Sequence, residues 1–150
     1  MFDRLIRESV APARVRSAID KLLGSEDLFP TVDETLLRRL VAVAESSRFA
    51  IDILRAHPEA WDILESADFL PDAQPPDASA LRKNLALSLF HVLVLDLLAL
   101  IPFKETFRML SDIADRAVQS AFEIARVELT KRHGIPPGDS PGLAVFGMGK

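Results

Sequence analysis

The residues best suited to chemistry stand together at positions 143–150, where an apolar run, Leu143-Ala144-Val145-Phe146, leads into Gly147-Met148-Gly149-Lys150. A buried strand running into Gly-x-Gly is a device for phosphate. Glycine has no side chain to hold an anion away, so backbone N–H groups at Gly147 and Gly149 can approach it while Lys150 offsets its charge. The same spacing also occurs in plain turns, so it must be weighed against known phosphate-binding patterns. A Walker loop requires glycine at position 144, which is Ala144, and that pattern fails. The dinucleotide fingerprint fits Gly147 and Gly149, but such domains usually open near this turn, whereas here nearly the whole chain precedes it. The third pattern is the nucleotidyltransferase turn, in which strand and glycines precede two carboxylates. Phosphoryl chemistry needs that pair because the Mg²⁺ it holds neutralises charge on the transferring group.

Elsewhere the reactive side chains are scattered. His57, His91 and His133 lie far apart, none with a metal partner at ligand spacing, and are expected as a turn residue, an interhelical residue and a helix C-cap. Asp112 and Asp115, one turn apart, suit a polar helix face better than a metal pair, and Trp61 suits the core. Asp96 interrupts an apolar stretch. A carboxylate buried there needs a partner, and an interhelical hydrogen bond or ion pair is expected. No catalytic residue and no metal ligand is nominated. The net charge of -4 and pI near 5.4 argue against nucleic acid as a partner. The basic pairs Arg38-Arg39 and Lys131-Arg132 read as solvated helix surface. With no cysteine there is neither a disulfide framework nor a thiolate metal site, which fits a cytoplasmic location. Met1-Phe2-Asp3-Arg4 opens charged amphipathic sequence rather than a secretory signal. Leu85–Ile101 approaches membrane length, but Ser88, His91 and Asp96 interrupt it, and an ionised carboxylate in hydrocarbon costs roughly 2.5 kcal/mol or more. A protein-buried helix, and no membrane, is expected.

The elements that must position the turn are helical. With 49% apolar and 27% charged residues, the 150-residue chain can bury one ordinary core. Phe2 to Leu23 is amphipathic and should break at Pro12, with Gly24 ending the second piece and Ser25 to Pro30 forming a turn. Thr31 and Glu34 have capping-box spacing, with Asp33 as the alternative cap. One helix should then carry Leu36, Leu37, Leu40, Val41, Ala44, Ile51 and Leu54 to a stop near Ala56, and Pro58 should open a short helix holding Ile63 and Leu64. Phe69 to Ser79, with three prolines, is a stiff connection. A helix from about Ala80 to Ile101, apolar almost all round, should be central and be ended by Pro102. The last begins near Phe103, spaces Phe107, Leu110, Ala114, Ala117, Ala121 and Ala125 by three or four, and stops at Gly134 after Lys131, Arg132 and His133. The expected fold is therefore mainly α: a helical bundle over 1–134, leading through a linker in 135–150 into the first strand and glycine turn of an α/β nucleotidyltransferase domain. One strand has no partners for its edges, so the sequence is expected to stop inside that second domain.

Four stretches carry a resemblance. Leu110-Ser111-Asp112-Ile113-Ala114-Asp115, Glu128-Leu129-Thr130-Lys131-Arg132-His133-Gly134, Leu143 to Lys150, and Ser46 to Leu64 around His57-Pro58-Glu59 resemble, in the same order, the glutamine synthetase adenylyltransferases. The resemblance covers roughly residues 36 to 150. It implies an enzyme with two nucleotidyltransferase domains. The N-terminal one removes AMP from a tyrosine of glutamine synthetase by phosphorolysis, and the C-terminal one attaches it from ATP. Gly-Met-Gly-Lys is closer to the N-terminal copy, since the other tends to carry an aromatic residue at the position of Met148. Implied with it are Mg²⁺, ATP or ADP or phosphate, glutamine synthetase as substrate, and the PII signal protein and glutamine as regulators. The implied nucleotide-binding residues are Gly147, Gly149 and Lys150. Two departures stand out. The family's Asp-x-Asp metal pair, which follows further glycines, occurs nowhere in these 150 residues, so this chain alone is expected to be inactive. Its Arg-Asp-Leu corresponds here to Leu95-Asp96-Leu97, so no role for that arginine carries over. A free-standing helical interaction module and the start of a dinucleotide-binding domain are the alternatives.

Overall fold

The computed structural model describes residues 2–23 and 33–135, which form seven helices. Local chemistry accounts for most of their boundaries. Helices α1 (Phe2–Glu8) and α2 (Pro12–Leu23) are parted where expected: Pro12 is the first residue of α2, a position whose N–H has no helical partner to lose. The Ser9 hydroxyl donates to the Ile6 carbonyl at 2.7 Å, and the Glu45 carboxylate accepts the Val10 N–H, so the corner is tied to the third helix.

That helix, α3 (Glu34–Ser46), starts on Asp33, whose carboxylate accepts the Leu36 N–H at 2.7 Å. The alternative cap is thus the one used, while Thr31, Gly24 and the Ser25–Pro30 turn lie outside the described residues. The single helix expected up to Ala56 is two. Ser47 is extended (φ -144°, ψ 117°), gives its N–H to the Val43 carbonyl, and accepts the Ala50 N–H on its hydroxyl at 3.3 Å. The apolar spacing runs on across Ser47, but a serine hydroxyl competes with the backbone for the next turn's donors. The bend lets α4 (Arg48–Ala56) reach the sixth helix while α3 keeps to α2 and the fifth. Pro58 then precedes α5 (Glu59–Ser66), which ends on Ala67 in the left-handed region, φ 58°.

Helix α6 (Ala78–Leu97) is capped by the Asp77 carboxylate, which accepts the Ser79 and Ala80 N–H groups at 2.8 Å each. It stops earlier than expected, and not at Pro102. Ala99 turns left-handed (φ 51°), giving its N–H to the Asp96 carbonyl, while the Leu100 N–H reaches the Leu95 carbonyl at 2.9 Å. This double closure is the usual glycine-type helix stop, made here by alanine. Pro102 instead sits at the start of α7 (Phe103–His133).

The core is gathered by α6. Phe90 and Val94 have no exposed surface and pack with Ile6, Val15, Ile19, Leu40, Val43 and Leu64 from the first five helices. Helix α6 is long and apolar enough to cross a membrane, yet these residues sit in the protein core and Lys83 pairs with Glu59 of α5. Trp61 lies half-buried at the edge of that core rather than inside it. Helix α7 packs on α6 alone among the described elements with substantial contact. The mainly helical reading holds. The strand expected at 143–146 lies outside the described residues.

Candidate functional site

The phosphate turn, Gly147, Gly149 and Lys150, also lies outside the described residues, so the describable part of the site is the helical support that leads to it. Support and turn are joined through the end of α7. Arg132 pairs with Glu128 at 2.7 Å, and Gly134 gives its N–H to the Thr130 carbonyl at 2.9 Å with φ 78°, a conformation that favours glycine. Lys131, Arg132 and His133 place positive charge where helix carbonyls are unpaired.

Between α6, α7 and the 70–75 loop lie two adjoining clefts of about 270 and 460 Å³. Leu70, Asn84, Ser88 and Ile113 line the first, Gln119 and Val127 the second, and Arg116 borders both. Their polar groups are largely committed to structure. The Asn84 side chain accepts the Asp72 N–H at 3.1 Å and donates to the Asp72 carbonyl at 2.8 Å, while the Asp72 carboxylate accepts the Gln74 N–H at 3.0 Å. The Arg116 Nε donates to the Asp112 carbonyl at 3.2 Å. These bonds anchor the proline loop to α6 and α7. No acid and base face each other across the clefts, so they offer shape rather than chemistry.

The other sequence candidates fall in separate places. His57 caps α4, its N–H on the Ile53 carbonyl at 2.9 Å. His91 is interhelical: its Nε2 lies 3.1 Å from the Ala67 carbonyl and its ring meets the edge of Phe69. His133 is in the last turn of α7. Asp112 pairs with Arg108 at 3.1 Å, and Asp115 is exposed on the same helix. The Thr106 hydroxyl donates to the Asp96 carboxylate at 2.9 Å, which is the interhelical bond expected. Asp96 itself, however, is exposed and not buried, because α6 ends one residue later and its last turn reaches solvent. Arg39 also departs from the solvated role expected of it: its guanidinium donates to the Leu64 carbonyl at 3.0 Å and to that of Glu65, closing the end of α5. No group of three or more histidines and acids that could hold a metal ion occurs among the described residues.

The ion pairs of the surface shift several carboxylates. Arg16 beside Asp3, Arg4 beside Glu8 and Arg108 beside Glu105 hold each acid below its ordinary range, through hydrogen bonding to the guanidinium. Lys83 does the same for Glu59. All four are exposed surface pairs and mark helix packing rather than a reaction centre.

Comparison with known families matches residues 77–150 to glutamate-ammonia ligase adenylyltransferase. Among curated proteins, the bifunctional glutamine synthetase adenylyltransferase/adenylyl-removing enzyme of Mycobacterium marinum (strain ATCC BAA-535 / M) is 33% identical over 141 aligned residues. The alignment covers 79% of this chain and 14% of that relative, so the chain spans a small part of its length. No solved structure matches. The family match begins on Asp77, the residue that caps α6.

Proposed function

Because the chain belongs to the glutamate-ammonia ligase adenylyltransferase family, we propose that it is the helical support of an enzyme that moves AMP on and off glutamine synthetase. One observation carries the reading. The family match starts at the cap of α6 and runs without a break through α7 into Gly-Met-Gly-Lys, so the helix pair and the glycine turn belong to one unit.

In this reading the division of labour follows from what each part can do. Helices α1–α5 bury one side of α6, and α6 carries α7. A helix is stiff over its length, so α7 delivers the connection at Gly134 to a fixed place. Gly147 and Gly149 then present backbone N–H groups to a phosphate and Lys150 offsets its charge, forming the near wall of a nucleotide pocket. Mg²⁺, when bound, would screen charge on the transferring group. Its ligands would be an Asp-x-Asp pair, which does not occur among these 150 residues. The chain therefore supplies position, not transfer. The Met148 of Gly-Met-Gly-Lys favours the phosphorolytic, AMP-removing copy of the domain, acting in nitrogen regulation in the cytoplasm, with the PII signal protein and glutamine as regulators.

The test is release of AMP from adenylylated glutamine synthetase with phosphate and Mg²⁺. The 150 residues alone should release none, and the chain extended through the following gene sequence should be active. Release by the 150 residues alone would overturn the assignment of the transfer chemistry to other residues; an extended chain that neither adds nor removes AMP would overturn the assignment to this enzyme.

A further inference from the structure

Helix α7 carries an apolar stripe that nothing covers among the described residues. Phe103 is 73% exposed, Phe107 55% and Leu129 57%, and Leu110, Val118 and Phe122 are exposed between them. Ala114, Ala121 and Ala125 fill the intervals and are also exposed. At 3.6 residues per turn these positions form one face, roughly 100° round from the residues turned toward α6, Thr106, Met109, Ile113 and Ile124. The stripe is thus a second apolar face, additional to the one α6 covers. Monomeric proteins seldom leave such a strip open.

We propose that the C-terminal half of this stripe, around Val118, Phe122 and Leu129, is the seat of the chain's own segment Leu143–Phe146 and of the sheet that this segment opens. The assignment rests on the functional reading above only in treating 143–146 as a strand. Reach allows it. The nine steps from Gly134 to Leu143 span at most about 30 Å, and α7 rises about 1.5 Å per residue, so Leu143 can return along α7 as far as about Ala114. Phe103, Phe107 and Leu110 lie beyond that reach, which is why the seat is placed in the second half. Shape favours it as well: Ala114, Ala121 and Ala125 leave a shallow floor on which a flat strand can lie, with Phe122 and Leu129 to flank it. Tethering decides between this occupant and a second copy. A segment held by so short a connection meets the stripe at about millimolar effective concentration, well above the concentration of separate chains in dilute solution. Docking would fix the glycine turn against α7, so that the helical support sets the position of the phosphate site.

The chain has no cysteine, so Ala144→Cys accepts a single nitroxide label. In the labelled 150-residue chain, the methyl resonances of Val118 and Leu129 should lose most of their intensity, while those of Val43 and Ile53, inside the α1–α6 core, should keep theirs. Phe122→Glu, at a side chain 39% exposed, should restore the lost intensity without lowering the unfolding midpoint. A mixture of label-free observed chains with labelled unobserved ones should show no loss. Full intensity at Val118 and Leu129 in the labelled chain would overturn the proposal, as would a loss that appears equally in the mixture, which would seat a second copy there. Docking found together with an inactive extended enzyme would sink the functional reading alone; activity without docking would sink this inference alone.

Discussion

Replacing Val94 by alanine removes the equivalent of two methylenes from a side chain with no exposed surface, packed in α6 against the first five helices. At about 0.8 kcal/mol per buried methylene, the transfer contribution is about 1.6 kcal/mol. The space left behind adds about 24 cal/mol per Å³ where neighbours cannot close it, so a void of about 40 Å³ adds about 1 kcal/mol. The loss should fall between about 1.6 and 2.6 kcal/mol, a large part of the usual stability of a single domain. The same change at Val127, 46% exposed on α7, removes the same atoms but opens no enclosed void, and should cost less than about 1 kcal/mol. Urea unfolding followed by helical circular dichroism separates the two. With a slope of about 2 kcal/mol per molar, the midpoint should fall by about 1 M for Val94→Ala and by less than about 0.5 M for Val127→Ala. Equal falls at the two sites would refute the placement of the core on α6 and the open placement of α7.

Other outcomes follow from single residues. Ser47→Ala leaves the Ala50 N–H without its cap and should lower stability by about 1 kcal/mol in the same assay; an unchanged midpoint would mean the α3–α4 break is held by packing alone. Ala99→Gly relieves a left-handed alanine and should raise stability by about 1 kcal/mol, shifting the thermal midpoint up by about 3 °C; a lower midpoint would contradict the stop described for α6. Lys83→Met tests the pair with Glu59, whose carboxyl Lys83 holds below its ordinary range. A depressed carboxylate contributes stability above its unfolded pKa of about 4.3 and loses it as pH falls through the folded value. Both side chains are about half exposed, so the loss at neutral pH should be under about 1 kcal/mol and should vanish in titrations carried below about pH 3. A loss that is unchanged in acid would mean that Lys83 acts through the packing of its stem.

The sequence shows helix ends best where a side chain acts on its own backbone. Pro12 and Pro58 act through a missing N–H and a fixed φ, and both boundaries were legible. Ser47 was not: the apolar spacing continues across it, and whether a serine hydroxyl caps or merely decorates a helix depends on where the next helix must pack. Ala99 carries no turn signal at all, since alanine is the best helix former, and only the approach of α7 to α6 accounts for a left-handed residue there. Arg39 and Asn84 hold distant backbone carbonyls, contacts set by how the chain returns and not by spacing. Asp96 found its expected partner but not its expected burial, because α6 stops one residue after it. The α7 spacing was legible as an apolar face; that α6 would cover a different face of the same helix was not. Of the candidate site, the family resemblance was legible in the ordered stretches, whereas Gly147, Gly149 and Lys150 lie outside the described residues.

The measurement that bears most directly on these helices as a support is calorimetric titration of the 150-residue chain with ADP in the presence of Mg²⁺. No saturable heat at micromolar nucleotide is expected, since the acids that would hold the metal are not among these residues. A Mg²⁺-dependent site with a dissociation constant near 1 μM, about -8 kcal/mol, that survives replacement of Lys150 would contradict it by placing a reaction centre inside the bundle.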